Sequence, residues 1–116
     1  GKGSLSDVEW TVQLLQLRHG VAATSTWEAL GLLREQALLE TDDADVLAES
    51  YAFCERVRNR LFLVRSAPAN SLPTNAEQAR WLARSLDTTA GELREHYRRV
   101  TRRARWVTER LFFGQE

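Results

Sequence analysis

The sequence predicts an all-α fold, an antiparallel helical bundle of about five helices, on three observations. Apolar residues recur at the spacing of three and four that is typical of helices along most of the chain. No segment keeps the alternation of apolar and polar residues that indicates a strand. The two longest helical segments carry matched apolar stripes, which favours packing of these two helices against each other at about +20°.

Four segments begin with a helix-start signal, a serine or threonine followed three residues later by a glutamate. In such a capping box the hydroxyl accepts a hydrogen bond from the backbone of the third helical residue, and the glutamate reaches back to the N–H of the capping residue. The four pairs are Ser6–Glu9, Ser25–Glu28, Thr74–Glu77 and Thr89–Glu92. Together with the apolar spacing, these signals predict helices at about 7–19, 26–38, 43–65, 75–86 and 90–113.

The first helix carries two apolar faces and is expected to end at Gly20. One face comprises Val8, Val12 and Leu15, and the roughly opposite face comprises Trp10, Leu14 and Leu17. A surface helix needs only one apolar stripe. Either the helix lies at the centre of its own bundle, or its second face meets a neighbouring domain.

The stripes of the third and fifth helices define the expected core. They consist of Ala44, Leu47, Tyr51, Cys54, Val57, Leu61 and Val64 on the third helix and Leu93, Tyr97, Val100, Ala104, Val107 and Leu111 on the fifth. Cys54 falls inside a stripe and is predicted to be an unreactive core residue. It is the only cysteine, so no internal disulfide is possible, and we expect a reducing, cytoplasmic setting.

Length, apolar content and charge distribution limit the classes of function that this chain could have. A length of 116 residues indicates one domain, and no apolar run approaches the ~20 residues of a membrane span. The net charge is zero, but residues 1–50 carry −6 and residues 51–116 carry +6. This asymmetry fits two halves that face each other or water, or a basic surface that binds phosphate or an acidic partner.

No catalytic or metal-binding motif is found. The sequence has no Walker-type phosphate loop, and its two histidines and one cysteine make no zinc set. The nearest metal motif is the pair Asp43 and Asp45, but two residues on a helix point ~200° apart and cannot converge on one ion. We therefore predict no metal site, and we interpret these aspartates, like His19 at the end of the first helix, as charges that suit a helix terminus.

The fifth helix is rich in arginine. One ridge comprises Arg94, Arg98, Arg102 and Arg105, and a second comprises Arg99, Arg103 and Arg110 with Trp106 nearby. These residues could bind an acidic partner or nucleic acid. Because Glu92, Glu95 and Glu109 lie among them, a solvated face with local ion pairs is favoured, and we expect no nucleic-acid binding.

Several segments resemble one known family. The first helix carries GSLSDVEWTVQLLQLRHG, which is similar to the family motif Gly-Gly-Ile/Leu-x-Asp/Glu-Ile/Val-Glu-Phe/Trp followed by Val-Gln-x-x-x-Leu. The third helix carries YAFCERVRNRLFLV, which resembles Tyr-x-Phe-x-x-x-x-x-Asn-x-Leu, and then come LP, WLAR and RRVTRRARWVTERLFFG. The family is the bifunctional glutamine synthetase adenylyltransferase/adenylyl-removing enzyme, and PII-uridylyltransferase shares the first motif more weakly. Ser4 stands where the family has its second glycine.

The resemblance implies that residues 1–116 form a single helical domain that follows a nucleotidyltransferase domain. That preceding domain carries the family's Gly-Ser loop and metal-binding Asp-x-Asp, so this chain is expected to hold no catalytic residue and no cofactor, while the full-length enzyme uses ATP and magnesium. The enzyme adenylylates a tyrosine of glutamine synthetase in one module and removes the AMP by phosphorolysis in the other. The ending LFFGQE resembles the family's C terminus, which implies the adenylylating module.

Two hypotheses about site residues follow. In the first, the chain packs its first helix against the catalytic domain, and the loop ahead of that helix supports the nucleotide site, because helix N-termini attract phosphate. Its residues are Lys2, Gly3, Ser4, Asp7 and Glu9. In the second, Arg94, Arg98, Arg102 and Arg105 dock glutamine synthetase or a PII-type signal protein.

Overall fold

The computed structural model describes residues 5–65 and 76–112, with the backbone alone described for 62–65. Within these ranges the chain forms five helices and no strand, which confirms the all-α prediction. The helices are α1 (Leu5–His19), α2 (Thr26–Glu35), α3 (Thr41–Arg65), α4 (Ala76–Ser85) and α5 (Ala90–Phe112).

Two of the predicted capping boxes are confirmed in their main hydrogen bond. The Ser25 hydroxyl accepts from the Glu28 N–H at 3.0 Å, and the Thr89 hydroxyl accepts from the Glu92 N–H at 3.2 Å. The return bond differs from the prediction, because the Glu28 carboxylate accepts from the N–H of Thr24, one residue before the cap, at 2.8 Å. This backbone hydrogen bond lowers the pKa of Glu28.

The predicted box at Ser6 is wrong, and the box at Thr74 lies outside the described residues. Helix α1 already includes Leu5, so Ser6 is an exposed helical residue and not the cap. Leu5 is 3% exposed and joins the core, and this burial accounts for a helix that begins earlier than the hydroxyl signal suggests.

In the described part of the chain, a residue with left-handed backbone conformation follows the end of three helices. Gly20, Ala37 and Asp87 have φ of 67°, 58° and 62°, and the residue after each donates its N–H to a carbonyl five residues back. This is the Schellman arrangement, and glycine adopts its φ without cost. The prediction that α1 stops at Gly20 is confirmed, whereas α2 ends at Glu35, three residues before its predicted end, because the motif at Ala37 closes it.

Helices α3 and α5 form the antiparallel centre of the bundle. The start of α3 meets the end of α5 where Asp43 pairs with Arg110, and further along α3 the Phe53 ring meets His96 near the start of α5, with 4.3 Å between ring centres. The described parts of both stripes are buried or half-buried, as predicted.

The described residues form two clusters of buried side chains in the core, which we call the α2 cluster and the α4 cluster. The α2 cluster joins α1 and α2 to the first half of α3 and the second half of α5. The α4 cluster joins α4 to the second half of α3 and the first half of α5. Tyr97 packs against both clusters, so it lies where the two meet.

Candidate functional site

The proposed nucleotide-support residues are only partly covered by the structure. Lys2, Gly3 and Ser4 lie outside the described residues, and Asp7 and Glu9 lie half-buried on the first turns of α1. Two residues apart on a helix, their side chains leave α1 about 200° apart. Glu9 is directed to α3, where its carboxylate accepts a 2.9 Å hydrogen bond from the Tyr51 hydroxyl.

Tyr51 connects three helices. Besides its hydrogen bond to Glu9, its ring lies edge-on to Trp27 of α2, with 5.2 Å between ring centres. Burial raises the pKa of the Tyr51 hydroxyl, and the neighbouring carboxylate of Glu9 adds to the increase. The hydroxyl donates its hydrogen bond to Glu9 and so orients that carboxylate.

The inner face of α1 is buried against α5 and the other helices. Val8, Val12 and Leu15 are each 1% exposed. The Thr11 hydroxyl, also buried, lies 2.9 Å from the Thr108 hydroxyl of α5 and donates to the Asp7 carbonyl at 2.8 Å. These contacts fix which side of α1 faces outward.

The outer face of α1, formed by Trp10, Leu14 and Leu17, remains apolar and open. Leu17 is 80% exposed, Trp10 is 48% exposed, and Leu14 is half-buried. The first alternative considered for this helix, a place at the centre of its own bundle, is therefore wrong. Leu14 lies between Trp10 and the largely exposed Leu17, so apolar side chains run along two turns of this face.

The end of α5 extends this apolar face. The Phe112 ring lies 6.2 Å from the Trp10 ring, centre to centre, and the Arg18 guanidinium lies 4.7 Å above the Phe112 ring. Aromatic pairs and guanidinium stacking both favour a fixed arrangement. The outer face of α1 is thus a surface of two leucines and two aromatic rings.

The two predicted arginine ridges differ in their contacts. In the second ridge, Arg103 lies 3.4 Å from a carboxylate oxygen of Glu49, and Arg110 pairs with Asp43. These acids belong to α3, whereas the sequence pointed to glutamates on α5. The first ridge is exposed and has no ion pair with any described residue; it consists of Arg94, Arg98, Arg102 and Arg105. We call it the arginine ridge.

Asp43 and Asp45 do not share a site. Asp43 is buried and pairs with Arg110 of α5, and Asp45 is exposed and lies 3.4 Å from a guanidinium nitrogen of Arg34 on α2. Among the described residues, no three His, Cys, Asp or Glu side chains gather in a way that could hold a metal ion. Burial raises the pKa of the Cys54 thiol, which favours the unreactive form.

Two contacts between distant residues, Tyr51 with Glu9 and Arg110 with Asp43, were not predicted from the sequence. Tyr51 and Glu9 are 42 positions apart, and Arg110 and Asp43 are 67 apart, so no local spacing links them. The Arg110 guanidinium also lies 4.9 Å above the Trp106 ring. The Trp106 side chain is 60% exposed, so a surface indole on α5 lies against the same guanidinium that pairs with the buried Asp43 of α3.

None of the helices within 5–65 and 76–112 combines the length and the apolar character that crossing a lipid bilayer requires.

Comparison with protein-family models identifies the class of helical domain. Residues 1–112 match the family described as GlnD PII-uridylyltransferase. Because the match extends over nearly all of the sequence, the chain belongs to this family.

The curated relatives carry a more particular name. A bifunctional glutamine synthetase adenylyltransferase/adenylyl-removing enzyme of Streptomyces coelicolor is 41% identical over 98% of this chain. Enzymes of the same name from Mycolicibacterium smegmatis and Nocardia farcinica are 42% and 40% identical. The resemblance found in the motifs is confirmed. The chain spans 12% of the length of each of these three relatives.

Proposed function

We propose that this chain is the helical accessory domain of a bacterial, cytoplasmic glutamine synthetase adenylyltransferase. It follows a nucleotidyltransferase domain and supports ATP- and magnesium-dependent adenylylation of a tyrosine of glutamine synthetase, while the enzyme's other module removes the AMP by phosphorolysis. The chemistry belongs to the preceding domain, and this chain contributes no catalytic residue. The activity serves the regulation of nitrogen assimilation.

The main support for the proposal is the outer face of α1. The chain spans 12% of its relatives' length, and α1 presents an exposed leucine and tryptophan on the side away from its own core. Burying a leucine or tryptophan side chain stabilises an interface by about 1.5–3 kcal/mol. We infer that this face packs against the preceding domain.

We propose that residues 1–4, which lie outside the described residues, contribute to the nucleotide site. We propose that Lys2 and the backbone of Gly3 and Ser4 hold a phosphate oxygen, because helix N-termini and lysine both attract phosphate. Asp7 and Glu9 share the first turns of α1, and the hydrogen bond from Tyr51 fixes Glu9. In the full-length enzyme, Lys2→Ala should raise the KM for ATP, and an unchanged KM would remove Lys2 from the site.

Docking is tested with Leu17→Glu and Trp10→Ala in the full-length enzyme. Both changes should lower the rate of glutamine synthetase adenylylation and speed protease cleavage ahead of α1. Trp81→Ala is the matched control, because Trp81 on α4 is 47% exposed and Trp10 is 48% exposed. Equal effects of Trp10→Ala and Trp81→Ala would contradict docking through α1.

The arginine ridge supports a second candidate function, a module that docks glutamine synthetase or a PII-type signal protein. Its four guanidinium groups are exposed and form no ion pair with any described residue, which leaves them available to an acidic surface. Combining Arg98→Glu with Arg102→Glu should weaken the complex and reduce its sensitivity to salt. Arg80→Glu with Arg84→Glu is the matched control, since these exposed arginines are also four residues apart, on α4.

The family model leaves one alternative within the class, the helical domain of a uridylyltransferase. The nucleotide that is transferred and the protein that accepts it distinguish the proposal from this alternative. A full-length protein that transfers AMP to glutamine synthetase supports the proposal, and one that transfers UMP to a PII-type protein supports the alternative.

A further inference from the structure

We infer that the depression between the start of α3 and the second half of α5 is an anchor pocket for a short acidic segment of a partner protein. The segment carries one aromatic or large aliphatic side chain between carboxylates. This inference rests on the second candidate function, docking through the arginine ridge, and adds the place and the chemistry of the contact.

The pocket has an apolar interior and a volume of about 450 Å³. Val107, 1% exposed, and the half-buried Val46 form its interior, and the Trp106 indole forms one wall. Arg102 of the arginine ridge also lines it. An apolar cavity of this size accommodates one large side chain.

The Trp106 wall is held in place before any partner arrives. Asp43, whose side chain is 9% exposed, pairs with Arg110, and the Arg110 guanidinium lies 4.9 Å above the indole ring. The Arg110 guanidinium thus contacts both Asp43 and the ring, while its Nε is buried without a hydrogen-bond partner among the described residues. An indole fixed in this way loses little side-chain entropy on binding.

The charges around the pocket select the occupant. Arg102 at the pocket and Arg105 on the same ridge are exposed and can each pair with a carboxylate of the partner. Asp42, exposed on the α3 side of the pocket, can accept from a peptide N–H. A peptide supplies an apolar side chain, carboxylates and N–H donors together.

Binding of labelled peptides to the full-length protein tests the inference. The probe is a fluorescein-labelled peptide of sequence Asp-Glu-Phe-Glu-Asp, measured by fluorescence anisotropy, and the comparison peptide replaces Phe with Ala. The Phe peptide should bind about tenfold more tightly than the Ala peptide, which is the range for filling a well-formed apolar pocket. Trp106→Ala should abolish that difference, and Trp106→Phe should keep most of it.

Matched variants distinguish failure of the anchor pocket from failure of docking through the arginine ridge. Trp81→Ala should leave both affinities unchanged. If Arg98→Glu with Arg102→Glu weakens both peptides but the Phe and Ala peptides bind alike, the ridge docks acidic partners and the anchor pocket is refuted. If neither peptide binds at millimolar concentration, or if a single-stranded oligonucleotide displaces the Phe peptide at lower concentration than the unlabelled peptide does, the inference is overturned.

Discussion

Asp43 and Asp45 lie two residues apart on α3, and each pairs with an arginine of a different helix. Asp43 is buried beside Arg110 of α5, whereas Asp45 is exposed beside Arg34 of α2. The side chains of Arg34 and Asp45 are 53% and 59% exposed, so water screens that pair. The same residue type on one helix therefore makes a buried and a surface ion pair.

The two aspartates should differ in their effect on stability. We expect Asp43→Asn to lower the free energy of unfolding by about 2–3 kcal/mol, because it leaves a partly buried guanidinium without its counter-charge. Asp45→Asn should cost less than about 1 kcal/mol. Urea unfolding of both variants measures the difference, and equal losses would contradict the assignment of Asp43 as a buried partner.

The hydrogen bond between Tyr51 and Glu9 should contribute measurably to the packing of α1 on α3. Removing the donor with Tyr51→Phe should cost about 1 kcal/mol, and Glu9→Gln should cost a similar amount or less. In a double-mutant cycle the double variant should lose less than the sum of the two single losses. Strictly additive losses would show that the bond contributes nothing to stability.

Leu47 and Leu17 form a matched pair of leucines for testing the core. Leu47 is 0% exposed, and Leu17 is 80% exposed. Leu47→Ala should lower the free energy of unfolding by about 2–5 kcal/mol, since it leaves a cavity. Leu17→Ala should change it by less than about 0.5 kcal/mol. A large loss from Leu17→Ala would mean that the outer face of α1 is structural and is not a docking surface.

High pH should destabilise the fold through both of its tyrosines. Burial raises the pKa of Tyr51 and of Tyr97 in the folded chain. Above about pH 10 the unfolded chain releases these protons first, so the free energy of unfolding falls as the pH rises. Tyr51→Phe and Tyr97→Phe should each flatten this decline. Tyrosinate absorbance at increasing pH reports the two pKa values directly, and ordinary values would contradict the prediction.

Local spacing predicted the helices and the centre of the bundle well. The stripes of α3 and α5 are apolar at every third or fourth position, and those positions are the buried ones, because a helix turns about 100° per residue. Ser25 and Thr89 cap their helices because the glutamate three residues on completes a local hydrogen-bonding unit. Such features depend on neighbours in sequence.

Features that depend on distant neighbours could not be predicted in the same way. The two apolar faces of α1 were visible, but only the packed bundle shows that the Trp10 and Leu17 side stays open. Likewise, the arginines of α5 were visible, and the structure shows that acids of α3 pair with Arg103 and Arg110. The early start of α1 follows from burial of Leu5, a tertiary effect that overrides the local serine signal.

Because the core is divided into two clusters, the helices should unfold locally in a defined order. Among the residues that the structure describes, α3 and α5 contribute to both clusters, whereas α2 contributes only to the α2 cluster and α4 only to the α4 cluster. Local unfolding proceeds first where fewest buried contacts are lost. Amide hydrogens in α2 and α4 should therefore exchange with deuterium sooner than those in the middle of α3 and α5, which exchange only when the whole domain comes apart.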